Sequence, residues 1–361
     1  MNQPLLTVSI PTWNRALLVK ELLQQVCDEV LQHNLQGEVD ILVSNNASTD
    51  NTDEVIQPFL SRYSFIQYNR NVTNTGAKSN VLKSMELANG KYVLFMGDDD
   101  RIKQGALSKI IALLQQHPDC GTLIDHADFK RKYFQDGDTP SLTEFLQKHF
   151  WNMGNAGFFI PRTDYFKEYL AQYGYDFFNE CWPQSQIQIL GLFKHPEHKI
   201  YIESISIHAE SLHGEVMQYT SFYLWRTCYY ELFLSAQAIR KETSEGVFQA
   251  CRTYLKNSLI QQLFNILQCG IFVDTNEQKQ KTRQHIASYL NLFSFKENVL
   301  LGIIIIGLWL PSFIAKPLAN TAIFLLKGNG GIQAKNTFVN NELAKRIKKQ
   351  QGAIRQLEFE K

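Results

Sequence analysis

The chain has 361 residues, 44% hydrophobic and 20% charged, an ordinary balance for a folded protein that excludes wholesale disorder. A formal net charge of +1 at pH 7 excludes a strongly basic nucleic-acid binder. The balance is uneven, however: from Pro311 to the end nine Lys/Arg face three Glu, so that segment carries +6 and everything before it −5.

Strand and helix signals alternate through the first 130 residues. Residues 5–11 (LLTVSIP) predict a strand ended by proline, and 15–30 a helix with Leu18, Leu22, Leu23, Val26 and Val30 at helical spacing. Residues 39–43 (VDILV) predict a second strand, 52–63 a second helix and 65–68 a short third strand. A helix over 77–88 closes at Gly90, and 92–96 (YVLFM) reads as a fully buried fourth strand. Residues 106–116 form a helix that ends before Pro118, with a strand at 121–124. Such alternation predicts an α/β fold: a mainly parallel, Rossmann-like sheet with helices on both faces. From 141 to 208 the pattern is mixed, with two helices and a strand at 200–207, and from 217 to 292 helical patterning dominates.

Ligands of doubly wound sheets bind at the carboxyl ends of strands. Three polar clusters follow such ends here: Pro11-Thr12-Trp13-Asn14-Arg15, then Ser44-Asn45-Asn46-Ala47-Ser48-Thr49-Asp50, then Gly97-Asp98-Asp99-Asp100. Three successive aspartates behind a buried strand repel one another unless a cation offsets them, and a hard divalent ion does so well. Capping the next helix would need only one of them. The Asn45-to-Asp50 cluster is equally compatible with a plain Asx-turn and helix cap. In Asn74-Thr75-Gly76-Ala77-Lys78-Ser79-Asn80, a glycine permits close backbone approach, and the following helix start suits an anion. The spacing is not that of a P-loop, and no G-x-G-x-x-G follows the first strand, which disfavours a nicotinamide dinucleotide.

Taken together, TVSIPTWNR, ILVSNNASTD, NTGAKSN and GKYVLFMGDDDRIKQGAL resemble the nucleotide-binding half of the family 2 glycosyltransferases, which have the GT-A fold. The resemblance covers roughly residues 5–125 and is closest to the subgroup that builds bacterial surface polysaccharides, abequosyltransferase-like enzymes included. It implies an inverting, metal-dependent transferase that takes a sugar from a nucleotide-diphosphate sugar, with Mn²⁺ or Mg²⁺ as cofactor. Pro11, Thr12, Asn14 and Arg15 would lie against the nucleotide. Asn45 and Asn46 stand where the family has acids reading the base, and Asn80 near the ribose or pyrophosphate. The Asp98–Asp100 run would be the D-x-D-type metal site. Gly97 replaces the first acid of the family's D-S-D-D, so the expected ligands are Asp99 and Asp100, with Asp98 nearer the ribose.

Direct displacement also needs a base for the acceptor hydroxyl. The resemblance places an acidic acceptor-site residue just before the helix at 185–193, where Glu180 is the first candidate and Asp176 the second. A capping role for Glu180 and a core role for Trp182 are the plain alternatives. Gln184 departs from the histidine common in the subgroup. Asn155-Ala156-Gly157 would shape the acceptor pocket or be a simple turn. His208 and His213 follow a strand where related enzymes bring a residue to the metal or pyrophosphate.

The expected organisation is a GT-A domain over 1–215, divided into a nucleotide-sugar half (1–130) and an acceptor half (131–215). A helical region over 216–295 and an apolar, then basic, tail over 296–361 follow. Residues 298–315 contain no charge, nor do 317–326, and the apolar run falls short of the ~20 residues of a spanning helix. With Lys316, Lys327, Lys335, Lys345, Arg346, Lys348 and Lys349 beside it, an interfacial segment on an anionic bilayer is the first reading. A buried or dimer helix and true spanning are the others. No secretory signal opens the chain and six scattered cysteines form no C-x-x-C pair, so the expected address is cytoplasmic, at the inner face of the membrane. The expected partners are a nucleotide-sugar donor and a saccharide or lipid-linked saccharide acceptor, with no nucleic acid. A nucleotidyltransferase and a non-catalytic nucleotide-sugar-binding protein are the rival readings.

Overall fold

The computed structural model describes residues 3–129, 132–154, 156–209, 229–272, 274–288, 295–311, 313–321 and 335. The elements of the first part run β1 (Leu6–Thr12), α1 (Ala16–Gln32), β2 (Val39–Asn45), α2 (Thr52–Arg62), β3 (Ile66–Arg70), α3 (Ala77–Glu86), β4 (Tyr92–Phe95), α4 (Ala106–Gln116) and β5 (Cys120–Asp125). There follow α5 (Leu142–His149), β6 (Phe159–Pro161), α6 (Thr163–Tyr173), α7 (Pro183–Lys194) and β7 (Lys199–Glu203). Farther on, α8 (Glu231–Ala238), α9 (Glu245–Phe272), α10 (Asn276–Ser288) and α11 (Phe295–Trp309) are all helical.

The four-stranded sheet has the order β3-β2-β1-β4 and is parallel throughout. β1 and β2 are buried along nearly their whole length, which explains their unbroken apolar runs. A second sheet of order β6-β5-β7 pairs β5 parallel to β7 and antiparallel to β6. β6 also lies along β4: Gly157 N donates to Phe95 O at 2.7 Å, and Thr163 N to Lys91 O at 3.0 Å. One core of Leu, Ile and Val side chains, Leu22, Val26, Leu94 and Ile110 among them, fills the space between the parallel sheet and its helices. Gly90 is required where the chain enters β4, because a Cβ there would sit 2.5 Å from Thr7 N.

The expected parallel α/β architecture is observed, but residues 141–208 form three helices, α5, α6 and α7, where two are expected, and one strand differs in extent. The strand predicted at 200–207 stops at Glu203. Beyond it, Ile205 N and Ile207 N donate to the buried Asp125 carboxylate at 2.9 and 2.7 Å. Ser206 between them takes a left-handed φ of 61°. A buried acid on β5 thus recruits the two amides that a longer strand would have used in its ladder.

The described residues divide into two compact units, one comprising those up to 209 with 234–254, the other 229–233 with those from 255 onward. In the second, α11 rests on α9 so closely that a Cβ on Gly307 would lie 2.7 Å from Leu267 Cδ2. Arg283 of α10 donates to Leu308 O at 2.7 Å, satisfying a carbonyl at the end of α11. Among the described residues no helix is long and apolar enough to cross a membrane. The expectations for Asn155, His213, Lys327, Lys345, Arg346, Lys348 and Lys349 lie outside the described residues.

Candidate functional site

The parallel register sets Thr12 beside Asn45 at the carboxyl ends of β1 and β2, with β4 ending on the other side of β1. The turns that follow are stitched together by side chains. Asn14, in a left-handed conformation (φ 52°) that asparagine tolerates, accepts from Thr49 N at 2.7 Å. Its own backbone N–H donates to Ser48 Oγ at 2.9 Å. Asp50 accepts from Ala16 N at 3.1 Å, placing a carboxylate at the start of α1. Ala47, at φ 57°, is held left-handed in the middle of the second turn.

The aspartate run closes the same edge. Thr12 Oγ1 donates to Asp98 Oδ2 and Arg15 Nη1 to Asp98 Oδ1, both at 2.7 Å, so both oxygens of this buried acid are engaged. Burial outweighs the Arg15 guanidinium and pushes the Asp98 carboxyl up to about 6, with the Asp99 charge adding to the rise. Asp99 is about a third exposed, 3.7 Å from Arg15 Nη1. Asp100 accepts from Gly97 N at 2.7 Å, and its carboxyl is also raised, by burial first and by Asp99 against the opposing pull of His208.

One long-range feature at this turn escaped the sequence reading. The guanidinium of Arg101, only 1% exposed, binds Asp100 O at 2.6 Å and pairs with Glu21 of α1. His208, expected from the resemblance to approach the metal or pyrophosphate, arrives by an antiparallel bridge to Ile102 that sets its Nε2 3.9 Å from Asp100 Oδ2. Its ring occupies the space over Gly157, where a Cβ would lie 2.2 Å from Nε2. The His208 Nδ1 is buried without a hydrogen-bond partner. Asp98 and Asp100, raised by burial and by the Asp99 charge, and the His208 imidazole are donors of the chemical kind that Mn²⁺ or Mg²⁺ takes, whereas the described donors that lie within 4.8 Å of one another are those of His195, Glu197 and His198.

Asn45, Asn46 and Asn80 are all buried, and their amides bind neighbouring loops. Asn45 donates to Tyr68 Oη at 2.8 Å and Asp53 Oδ1 at 3.1 Å, and accepts from Ser48 N at 2.9 Å. Asn46 donates to Asn74 Oδ1 at 2.8 Å and accepts from Thr75 N at 3.0 Å and Asn71 Nδ2 at 2.9 Å. Asn80 donates to Ser44 O at 2.9 Å and accepts from Ser44 Oγ at 2.8 Å. These bonds fix the shape of the SNNASTD and NTGAKSN loops. The surface they leave at the mouth is Pro11, Trp13, Asn14 and Arg15, with Trp13 49% exposed.

Glu180 lies 63% exposed, its carboxylate 2.9 Å from Lys78 Nζ in the first turn of α3. The same ammonium donates to Phe178 O at 3.3 Å. Glu180 is therefore tied to the NTGAKSN loop. Asp176 is exposed on a short 3-10 turn over Tyr175–Phe177, and Trp182 is buried ahead of Pro183, which opens α7. Gln184, Gln186 and Gln188 on α7 are buried as well, an unusually polar interior for a helix.

The chain is similar in sequence and in fold to known glycosyltransferases. An abequosyltransferase of Salmonella typhimurium is 36% identical over 116 residues, covering 32% of this chain and 34% of that protein. A GalNAc(5)-diNAcBac-PP-undecaprenol β-1,3-glucosyltransferase of Campylobacter jejuni is 30% identical over 110 residues, covering 30% and 34%. Each match spans about a third of the relative's own length. Among solved structures, TarS of Staphylococcus aureus in complex with UDP-GlcNAc has the same fold, with a TM-score of 0.54 and 17% identity over 82% of this chain and 83% of that one. The model of Glycosyl transferase family 2 matches residues 7–174, which contain the whole parallel sheet and its three strand-end turns: this part of the chain is a domain of that family.

Proposed function

We propose that the chain is an inverting, divalent-cation-dependent glycosyltransferase that moves a sugar from a nucleoside-diphosphate sugar to a saccharide acceptor. The observation that carries the reading is the junction of the strand-end turns at Asp98, held by Thr12 and Arg15 beside Asp99, Asp100 and His208. Arg15 and the first turn of α3 offer positive charge to a diphosphate, and Trp13 offers a flat surface to the base. Asn45, Asn46 and Asn80 serve by holding the loops around the nucleotide, and Asp98 by orienting Arg15. Asp99, Asp100 and His208 would hold the cation, which when bound supplies Lewis-acid stabilisation of the departing diphosphate.

On the opposite face Glu180 acts as general base, with Asp176 second. The acceptor oxygen bonds to the anomeric carbon as the bond to the diphosphate oxygen breaks. The hydroxyl proton passes to Glu180, and the nucleoside diphosphate leaves. UDP-GlcNAc in the TarS complex supports a nucleotide sugar as donor. The undecaprenol-linked saccharide in the name of the Campylobacter relative supports a lipid-linked acceptor, hence work at the inner face of the membrane in surface-polysaccharide assembly.

The test is incubation with UDP-, GDP-, dTDP- and CDP-sugars, Mn²⁺ and saccharide acceptors, following both phosphate products. Nucleoside diphosphate release coupled to a new glycosidic bond is expected. Release of pyrophosphate instead would convert the reading to nucleotidyl transfer, and donor binding without turnover would leave a binding protein.

A further inference from the structure

The second unit carries an apolar surface that the donor chemistry does not use. α11 is apolar all round, its sequence FKENVLLGIIIIGLW lacking any charge after Glu297. One face, Leu301, Ile304 and Leu308, is buried. The opposite face presents Val299, Ile303 and Ile306 at helical spacing, 48–63% exposed, and ends in Trp309 at 71%. Residues 313–321 are again helical and add Phe313, 78% exposed, and Leu318, 57% exposed. Single exposed apolar side chains need no explanation, but six large ones on consecutive helical segments do.

A helix that is apolar on every side belongs in a core or in lipid, and here only one side has a core. With 15 residues α11 is about 22 Å long, short of the ~30 Å hydrocarbon thickness, and Pro311 ends it. Lying in the interface is the arrangement open to it. Charge selects the kind of surface. Between Asn298 and Leu326 the only ionised side chain is the exposed Lys316, and the chain from Pro311 onward carries +6. Pairing this face with a second copy would bring two such segments together, whereas anionic headgroups attract both. Trp309, with an apolar ring and one N–H donor, suits the depth where acyl chains meet headgroups.

We infer that Val299, Ile303, Ile306, Trp309, Phe313 and Leu318 seat the protein in one leaflet of an anionic bilayer without crossing it. Binding to vesicles needs neither donor nor acceptor, so this inference stands or falls separately from the proposed chemistry.

The experiment is sedimentation of the full chain with unilamellar vesicles, either phosphatidylcholine alone or mixed with phosphatidylglycerol. Binding to the anionic vesicles at least tenfold tighter than to the neutral ones is expected. The double variant Ile306→Ser, Trp309→Ser should lose at least tenfold of that binding. Because both side chains are exposed, its melting temperature and its binding of nucleoside diphosphate with Mn²⁺ should match the parent. Three results would overturn the inference: no sedimentation with anionic vesicles, unchanged binding by the double variant, or a lipid-free dimer that the double variant dissociates. The last would assign the face to a second copy of the chain.

Discussion

The two carboxylates at the centre of the proposed reaction sit in opposite surroundings. Asp98 is buried with both oxygens bound, inside turns that are bonded to one another through Asn14, Ser48 and Asp50. Glu180 projects into solvent from a short stretch, and an ion pair with Lys78 holds its side chain. The strand-end turns are cross-linked by their own side chains, an arrangement that lowers the ordering cost of binding a ligand there. The acceptor edge is open and more easily reshaped.

The contrast can be broken in several places. Replacing Asp99 and Asp100 together by Ala should reduce sugar transfer at least ~10³-fold and abolish the Mn²⁺ dependence of nucleoside diphosphate binding, measured by calorimetry. Retention of both would remove the aspartate turn from the mechanism.

The acceptor half has its own weakness in acid. His149 of α5 is packed among Phe129, Phe134 and Phe145, and burial pushes its imidazole down to about 4 from an ordinary value of 6.5. The unfolded chain therefore takes up this proton at a higher pH than the folded one. The stability contributed by the neutral ring is complete above about 6.5 and is lost as pH falls toward 4, by on the order of 3 kcal/mol. Urea unfolding at pH 7.5 and 4.5 measures this, and His149→Phe should flatten the difference.

A smaller effect sharpens the acceptor side. Glu180→Gln should lower transfer about 10²-fold while leaving donor affinity unchanged, since only the proton acceptor is removed. Full activity in that variant would pass the role to Asp176. Smallest is Asn14→Ala, which forces a left-handed residue to carry an ordinary side chain and deletes the bond from Thr49 N. A loss of about 1 kcal/mol in chemical denaturation is expected, with the greater part of transfer activity retained.

The shared edge of the strand-end turns was legible in the sequence because its signals are local. Each motif lies within a few residues of a strand end, and the alternation of short strands and helices fixes which ends share an edge. What escaped depends on pairs far apart in the chain. Arg101 finds Glu21 across 80 residues, and nothing around it marks a buried cation. For His208 the resemblance marks the position, but its partner Asp100 depends on the course of the chain beyond β7, where Ile205 N and Ile207 N turn to the carboxylate of Asp125 on another strand. The amides of Asn45, Asn46 and Asn80 were read for their place at strand ends. Their partners, up to 36 residues away, make them fasteners of the loops.

Arg101 has a bearing on how substitutions at the aspartate run are to be interpreted. Its guanidinium grips the peptide oxygen of Asp100 and reaches that of Asp98, so it grasps the turn by its backbone from the protein side. Exchange of Asp98 or Asp100 also removes the bonds to Thr12, Arg15 and Gly97 N, whereas Asp99 can be exchanged for Asn or Ala while the loop keeps its course. Loss of turnover in such variants reads out charge at the mouth of the site, and Arg101→Met supplies the complementary case, a loop with all its acids and no anchor.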